Sequence, residues 1–236
     1  MVVGVDKLEK VFKKNETLFT ITLIIIYVVA NSYIMQNYGI TSYQSVIINT
    51  ILSILLIVLI VSLKGIKYYG ITKPNDSKKF LYFIPLFIIS LFNLRRGIYI
   101  NNTGSEIVFH ILTMINVGFI EEMIFRGFLF RMMAKDNVKS AIIVSSITFG
   151  VGHIVNLLNG ADLVPTLLQL CYAVAIGYML SMIFYKSKSI IPCIIFHAIF
   201  NSLSIFATGE SSIISSIILI AMCLGYTIYV SKKVEV

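Results

Sequence analysis

Apolar residues in this chain come in long blocks separated by short polar stretches. They lack both the period of two of a half-buried strand and the period of 3.6 of a soluble surface helix. A helix needs roughly 20 mostly apolar residues to cross about 30 Å of hydrocarbon. Read on that scale, the sequence predicts eight spans, at residues 17–36, 44–63, 80–94, 105–130, 139–157, 163–185, 189–207 and 211–230. The third is short. The connecting stretches are too short for a soluble domain, and the chain shows no repeat or low-complexity tract. The expectation is a single transmembrane domain over residues 1–236, an all-α polytopic helical bundle.

Composition agrees with that pattern. The 236 residues are 58% hydrophobic and 13% charged, with a mean hydropathy of +0.91, well above the roughly 45–50% apolar share of soluble domains. The first apolar block follows Lys7, Lys10, Lys13 and Lys14 and carries no small-residue cleavage site, so it reads as a retained span. With eight crossings, Lys64 to Lys79, Arg131 to Lys139, Lys186 to Lys188 and the segment from Lys232 onward share the cytoplasmic side with the N-terminus. The opposite loops, near Asn37, Asp162 and Glu210, are almost free of basic residues. Arg95 and Arg96, after the third span, go against this pattern. If that span were only interfacial, however, three basic clusters would move outside. The net charge of +8 is therefore a topological signal and not a nucleic-acid footprint, and the same residues can meet anionic lipid heads. Cys171, Cys193 and Cys223 are dispersed in apolar spans at no metal-ligand spacing and read as buried thiols.

Against this background the charged and polar residues inside the spans stand out. Glu121 and Glu122, with Arg126 four residues on, fall within the fourth span. An ionisable group in mid-membrane costs at least ~2.5–3.5 kcal/mol on insertion scales, so such a cluster is a candidate functional site. His153 follows Phe149 by four in the fifth span, and His197 precedes Asn201 by four in the seventh, so each pair shares a helix face. At about 1.5 Å per residue, Glu121 lies roughly 15 Å from Arg131, His197 roughly 14 Å and Asn201 roughly 20 Å from Lys188, and His153 roughly 21 Å from Lys139. Three spans thus carry their unusual polar residues to one band of depth. Their meeting in the plane of the membrane is an expectation.

Adjacent helical residues point about 100° apart, so the two glutamates have different surroundings. Glu122 and Arg126 have the spacing and order of an intrahelical ion pair, whereas Glu121 has no local partner and remains available as a general base. A buried carboxylate beside an imidazole can deprotonate water for attack on a carbonyl, while His and Asn donors stabilise the oxyanion. That combination suits amide hydrolysis. The same residue types could instead hold a divalent metal such as zinc, with Glu121, His153 and His197 as ligands, although HExxH is absent and Asn is an uncommon zinc ligand. A non-enzymatic immunity protein or a transporter using the same groups is the competing class.

Glu121-Glu122-Met-Ile-Phe-Arg126, Phe149-Gly-Val-Gly-His153 and His197-Ala-Ile-Phe-Asn201 resemble the EExxxR, FxxxH and HxxxN/B motifs of the CPBP (Abi) intramembrane proteases. That family includes type II CAAX prenyl endopeptidases and bacteriocin-processing or self-immunity proteins. The match covers approximately residues 105–207. The resemblance implies that Glu121 and His153 activate the hydrolytic water, that His197 and Asn201 form the oxyanion site, and that Glu122, Arg126 and Phe149 support them. It further implies a site buried in a bacterial cell membrane and a hydrophobic peptide or membrane-protein substrate. The resemblance admits both metalloproteases and metal-independent glutamate proteases; the metal-independent mechanism is the expectation, because Glu121 and His153 already supply a base and an orienting group, with a divalent metal such as zinc as the alternative.

Overall fold

The computed structural model describes residues 10, 12, 14–73, 83–207 and 212–233. Lys7, Lys13, Lys78, Lys79, Glu210 and the first residues of the expected third and eighth spans lie outside the described residues. The described chain is all-helical. α1 runs over Glu16–Tyr38, α2 over Tyr43–Ser62, and α3 over Ile84–Ser90 with a 3-10 extension at Leu91–Leu94. α4 covers Gly104–Glu122 and continues without a break through a π-helical stretch, Met123–Phe130, into Arg131–Met133. α5 is Val138–Gly152, α6 the short Val155–Leu158, α7 Leu163–Ser187, α8 Ile191–Ser202 with a 3-10 extension at Leu203–Phe206, and α9 Ile213–Lys233.

Six helices are long and apolar enough to cross a membrane, and Ile84–Leu94 and Ile191–Phe206 are shorter apolar helices. The expected count of eight is therefore not reached among the described residues. Both shorter helices have a proline in the first turn and tighten into 3-10 geometry at the end. At about 1.5 Å per α residue and 2.0 Å per 3-10 residue they reach only about 18 and 26 Å.

Local chemistry sets the boundaries of the longer helices. Ser42 caps α2 by accepting from the Ser45 amide, and Asn137 caps α5 by accepting from Ser140. Thr103 and Glu106 form a reciprocal capping box at the start of α4. α7 stops at Lys188, which takes a left-handed conformation with φ of 57°.

The helix ends gather on two faces. Lys135 pairs with Glu16, the Ile190 amide donates to the Gly70 carbonyl, and the Ser189 hydroxyl donates to the Thr72 carbonyl. These contacts join the start of α1 and the 63–73, 134–137 and 188–190 connections on one face. The turns at 39–42, 95–103 and 153–162 and the end of α8 make the other, where the Tyr99 amide donates to the Phe206 carbonyl. α7 packs along α5 and α9, while α4 packs against α2 and α8. Outward residues such as Leu18, Ile25 and Val29 on α1, Leu55 and Val58 on α2, and Ile214 and Ile217 on α9 are exposed. Apolar rows of this kind suit acyl chains.

The α5–α7 contact depends on glycine. A Cβ on Gly150 would lie 2.9 Å from the Val174 backbone nitrogen and 3.0 Å from the Leu170 carbonyl oxygen. At Gly177 it would lie 3.0 Å from Ser146 Cα. Small residues let helix backbones approach closely, and here that approach brings Phe149 and His153 in beside α4.

Candidate active site

Glu121 and Glu122 close the α-helical part of α4, and the π-helical stretch starts at the next residue. π-helical turns within α-helices frequently occur at functional sites. Every residue of Met123–Phe130 is buried, so the wide turn is packed inside the protein. Glu121 lies about 26 Å along the helix from Gly104 and about 18 Å from Met133 at 1.5 Å per residue.

The two carboxylates diverge, as their helical positions require. Oε1 of Glu122 accepts from Arg126 at 2.8 Å and lies 2.8 Å from Nδ1 of His197. Glu122 and Arg126 are both 0% exposed. Arg126 also donates to the Gly177 carbonyl at 3.2 Å and lies over the Phe149 ring, 4.4 Å from its centre. One guanidinium thereby ties α4, α5 and α7 together. Glu122 is more than half of an intrahelical pair, because the oxygen that meets Arg126 also fixes the imidazole of α8.

Glu121 faces a cavity of about 260 Å³. Its Oε1 accepts from the Tyr27 hydroxyl at 2.7 Å, and its Oε2 lies 3.5 Å from Nε2 of His197. His197 therefore stands between the two glutamates, one ring nitrogen toward each. Two carboxylates, one imidazole and one guanidinium thus form a single buried cluster.

His153 ends α5 and lines the same cavity. Its Nδ1 lies 3.1 Å from the Phe149 carbonyl oxygen. Donation along that contact leaves Nε2 as the acceptor, the state required to orient or deprotonate water. The Phe149 ring meets both His153 and His197 edge-on, at 5.3 and 5.6 Å. Asn201 also lines the cavity. Its backbone carbonyl, at the end of α8, is bound by His110 Nε2 at 3.1 Å and by the Ser204 hydroxyl at 2.7 Å. Asn93 donates to the neighbouring Phe200 carbonyl at 2.6 Å. The backbone that carries Asn201 is thus held from three sides.

The expected residues are therefore brought together. Glu121, His153 and Asn201 share the cavity, His197 adjoins it through Glu121, and Glu122, Arg126 and Phe149 pack behind. Tyr27, His110, Asn93, Asn156 and Gln169 join the site without any motif in the sequence to mark them. A signal existed for Tyr27, which lies roughly 20 Å along the helix axis from Lys14 at 1.5 Å per residue, within the depth band of the other site residues. Among the described residues, no three His, Cys, Asp or Glu side chains converge as a metal site would require, and both nitrogens of His197 face carboxylates.

Residues 102–203 match the family model described as type II CAAX prenyl endopeptidase Rce1-like. This segment is similar to Rce1-like domains. It begins at the turn before α4 and ends with α8, so it contains all three motifs and every expected site residue. The Rce1-like match supports a protease, an endopeptidase of the membrane, and the six apolar helices make the chain an integral membrane protein. No curated protein and no solved structure matches the chain.

Proposed function

We propose that the chain is an intramembrane endopeptidase that hydrolyses a peptide bond in a hydrophobic or lipidated peptide or membrane protein, with Glu121 as general base. The observation that carries this reading is that Glu121 and His153 line one cavity together with Asn201. Water held between the carboxylate and Nε2 of His153 gives a proton to Glu121, and its oxygen attacks the carbonyl carbon. Asn201, with Nε2 of His197 when protonated, stabilises the oxyanion, since Nδ1 of His197 is engaged by Glu122. The C–N bond then breaks, the nitrogen takes the proton, and the products are a carboxylate and an amine. Tyr27 and His197 orient Glu121, and Glu122 with Arg126 orients His197.

A metal mechanism would use Glu121, His153 and His197 as ligands, which requires His197 to leave one glutamate. The family description points to C-terminally prenylated peptides as one substrate class; other hydrophobic leader or membrane peptides offer the same scissile bond.

The test is cleavage of hydrophobic and C-terminally lipidated reporter peptides by purified protein in detergent, with and without chelator, beside Glu121→Gln. The expected result is chelator-resistant cleavage reduced at least ~100-fold in the variant, the loss typical of a general base. Chelator-sensitive activity restored by added zinc would favour a metalloenzyme. Full activity in Glu121→Gln would overturn the mechanism.

A further inference from the structure

The cavity is polarised between the two faces of the bundle. Its deep end is formed by Tyr27, Glu121, Phe125 and Phe149, all 9% exposed or less. From there its lining runs toward one face only. On α1 it passes from Tyr27 through Asn31 and Met35 to Ile40 beyond the helix end; on α5 it reaches His153 and continues to Asn156; on α8 it reaches Ser204. Asn93 lines it from the end of the α3 segment, and Gln169 and Tyr172 from the first turns of α7. Ile40, Asn93 and Asn156 are partly exposed and Ser204 is exposed, so this end is the mouth.

The other direction is closed. Below Glu121 lies the buried Met123–Phe130 stretch, and Phe128 within it packs against Tyr69 with ring centres 4.4 Å apart and against Phe12 at 6.1 Å. Phe130 packs edge-on against Phe184 at 5.5 Å. These aromatic contacts seal the cavity floor among the described residues.

Charge orients the molecule independently of the cavity. Lys10, Lys14, Lys64, Lys67, Lys73, Arg131, Lys135, Lys139, Lys186, Lys188, Lys232 and Lys233 all lie at the aromatic face. Among the described basic residues, only Arg95 and Arg96 lie at the mouth face, and Arg126 is internal. Short loops rich in Lys and Arg stay in the cytoplasm.

From the lining and the charge asymmetry together we infer that the cavity opens to the extracytoplasmic side, and that its substrate is an extended, uncharged segment of an exported or membrane-anchored peptide arriving from that side. The mouth supplies the amides of Asn31, Asn93, Asn156 and Gln169; Asn93 donates to the Phe200 carbonyl and Asn156 to Gln169, and the remaining donors and acceptors of the four can pair with the backbone groups of an extended chain. Among the described residues, no Lys, Arg, Asp or Glu other than Glu121 lines the cavity, so these walls offer a charged segment no partner. This inference rests on the endopeptidase reading for its substrate, but its geometry does not depend on activity.

The full chain, with Cys171, Cys193 and Cys223 replaced by alanine, carries single cysteines at Ile40→Cys or Asn156→Cys at the mouth, and at Lys67→Cys or Lys139→Cys on the aromatic face. Intact bacterial cells expressing each variant are treated with a membrane-impermeant maleimide, and lysed cells serve as the reference. Both mouth cysteines should label in intact cells at levels close to those after lysis, and the other two only after lysis. The reverse pattern, or mouth cysteines that label only after lysis, overturns the inference. Two positions on each face guard against one variant that fails to fold. An impermeant fluorogenic peptide added outside then tests the substrate side. Cleavage by intact cells, lost in Glu121→Gln, supports it, and cleavage seen only after lysis overturns it. If no peptide is cleaved in either preparation, the endopeptidase reading fails, while the labelling pattern still decides the orientation.

Discussion

Two walls of the cavity are built in unlike ways. On one side, α5 and α7 meet backbone to backbone through Gly150 and Gly177, with Arg126 bridging both to α4. On the other side, α1 is held largely by polar clasps. Lys135 holds Glu16 at one end, the Tyr27 hydroxyl holds Glu121 in the middle, and Ser32 and Gln36 hold Asn159 at the other end at 2.7 and 2.9 Å. Much of its apolar surface faces outward. The α5–α7 wall fixes His153 by packing, which tolerates little change. The α1 wall contributes one hydroxyl to the base and encloses the cavity, and its separate hydrogen bonds are individually modest. Site geometry thus resides in the first wall, whereas access depends on the second.

Substitutions should separate the two walls in order of size. Arg126→Ala leaves Glu122 buried with only His197 as partner, a loss of about 3–5 kcal/mol by the cost of breaking a buried pair. Unfolding in detergent should show a collapse in stability together with loss of activity; a stable, active variant would remove Arg126 from its bridging role. Gly150→Ala pushes a methyl against the backbone of α7, an overpacking that costs about 1–3 kcal/mol. Its expected signature is a lowered unfolding midpoint with activity falling in parallel, and an unchanged midpoint would mean that α5 and α7 can separate freely. Tyr27→Phe removes one hydrogen bond to a carboxylate from the loose wall. The fold should lose about 1 kcal/mol or less, while peptide cleavage falls about tenfold, the equivalent of 1.4 kcal/mol of lost orientation of Glu121. If Tyr27→Phe destabilised as much as Gly150→Ala, the contrast between the walls would disappear.

Much of the site is legible in the sequence, and the gaps have physical causes. Helical rise converts distance from a basic cluster into depth, so Glu121, His153, His197 and Asn201 fall in one band by arithmetic on residue numbers alone. Rise says nothing of direction around the helix axis. The position of His197 between the two glutamates therefore emerges only from tertiary packing. Tyr27 is hidden because a tyrosine amid Ile and Val carries no charge to mark it, although its depth matches. Hydropathy locates the segments of α3 and α8 but not the lengths of their helices, because prolines and 3-10 ends shorten helices without lowering apolarity. The hydrogen bonds that fix the backbone at Asn201 come from His110 on α4, Asn93 at the end of α3 and Ser204 in the 3-10 end of α8, a convergence no spacing rule announces.

The π-helical stretch after Glu122 has a consequence for how this helix tolerates change. Bonds that close on the fifth residue store one residue more than an α-helix would in the same turn. The stretch therefore holds a spare residue between the segment ending in the two carboxylates and the segment carrying Arg131 toward the basic face. Losing a single residue in Met123–Phe130 would let the turn relax to α geometry with the two flanking segments in about the same phase, whereas the same loss within the regular turns of Gly104–Glu122 would swing the carboxylates by about 100° relative to the rest of the helix. Chain length is therefore a stricter determinant of the site before the carboxylates than after them.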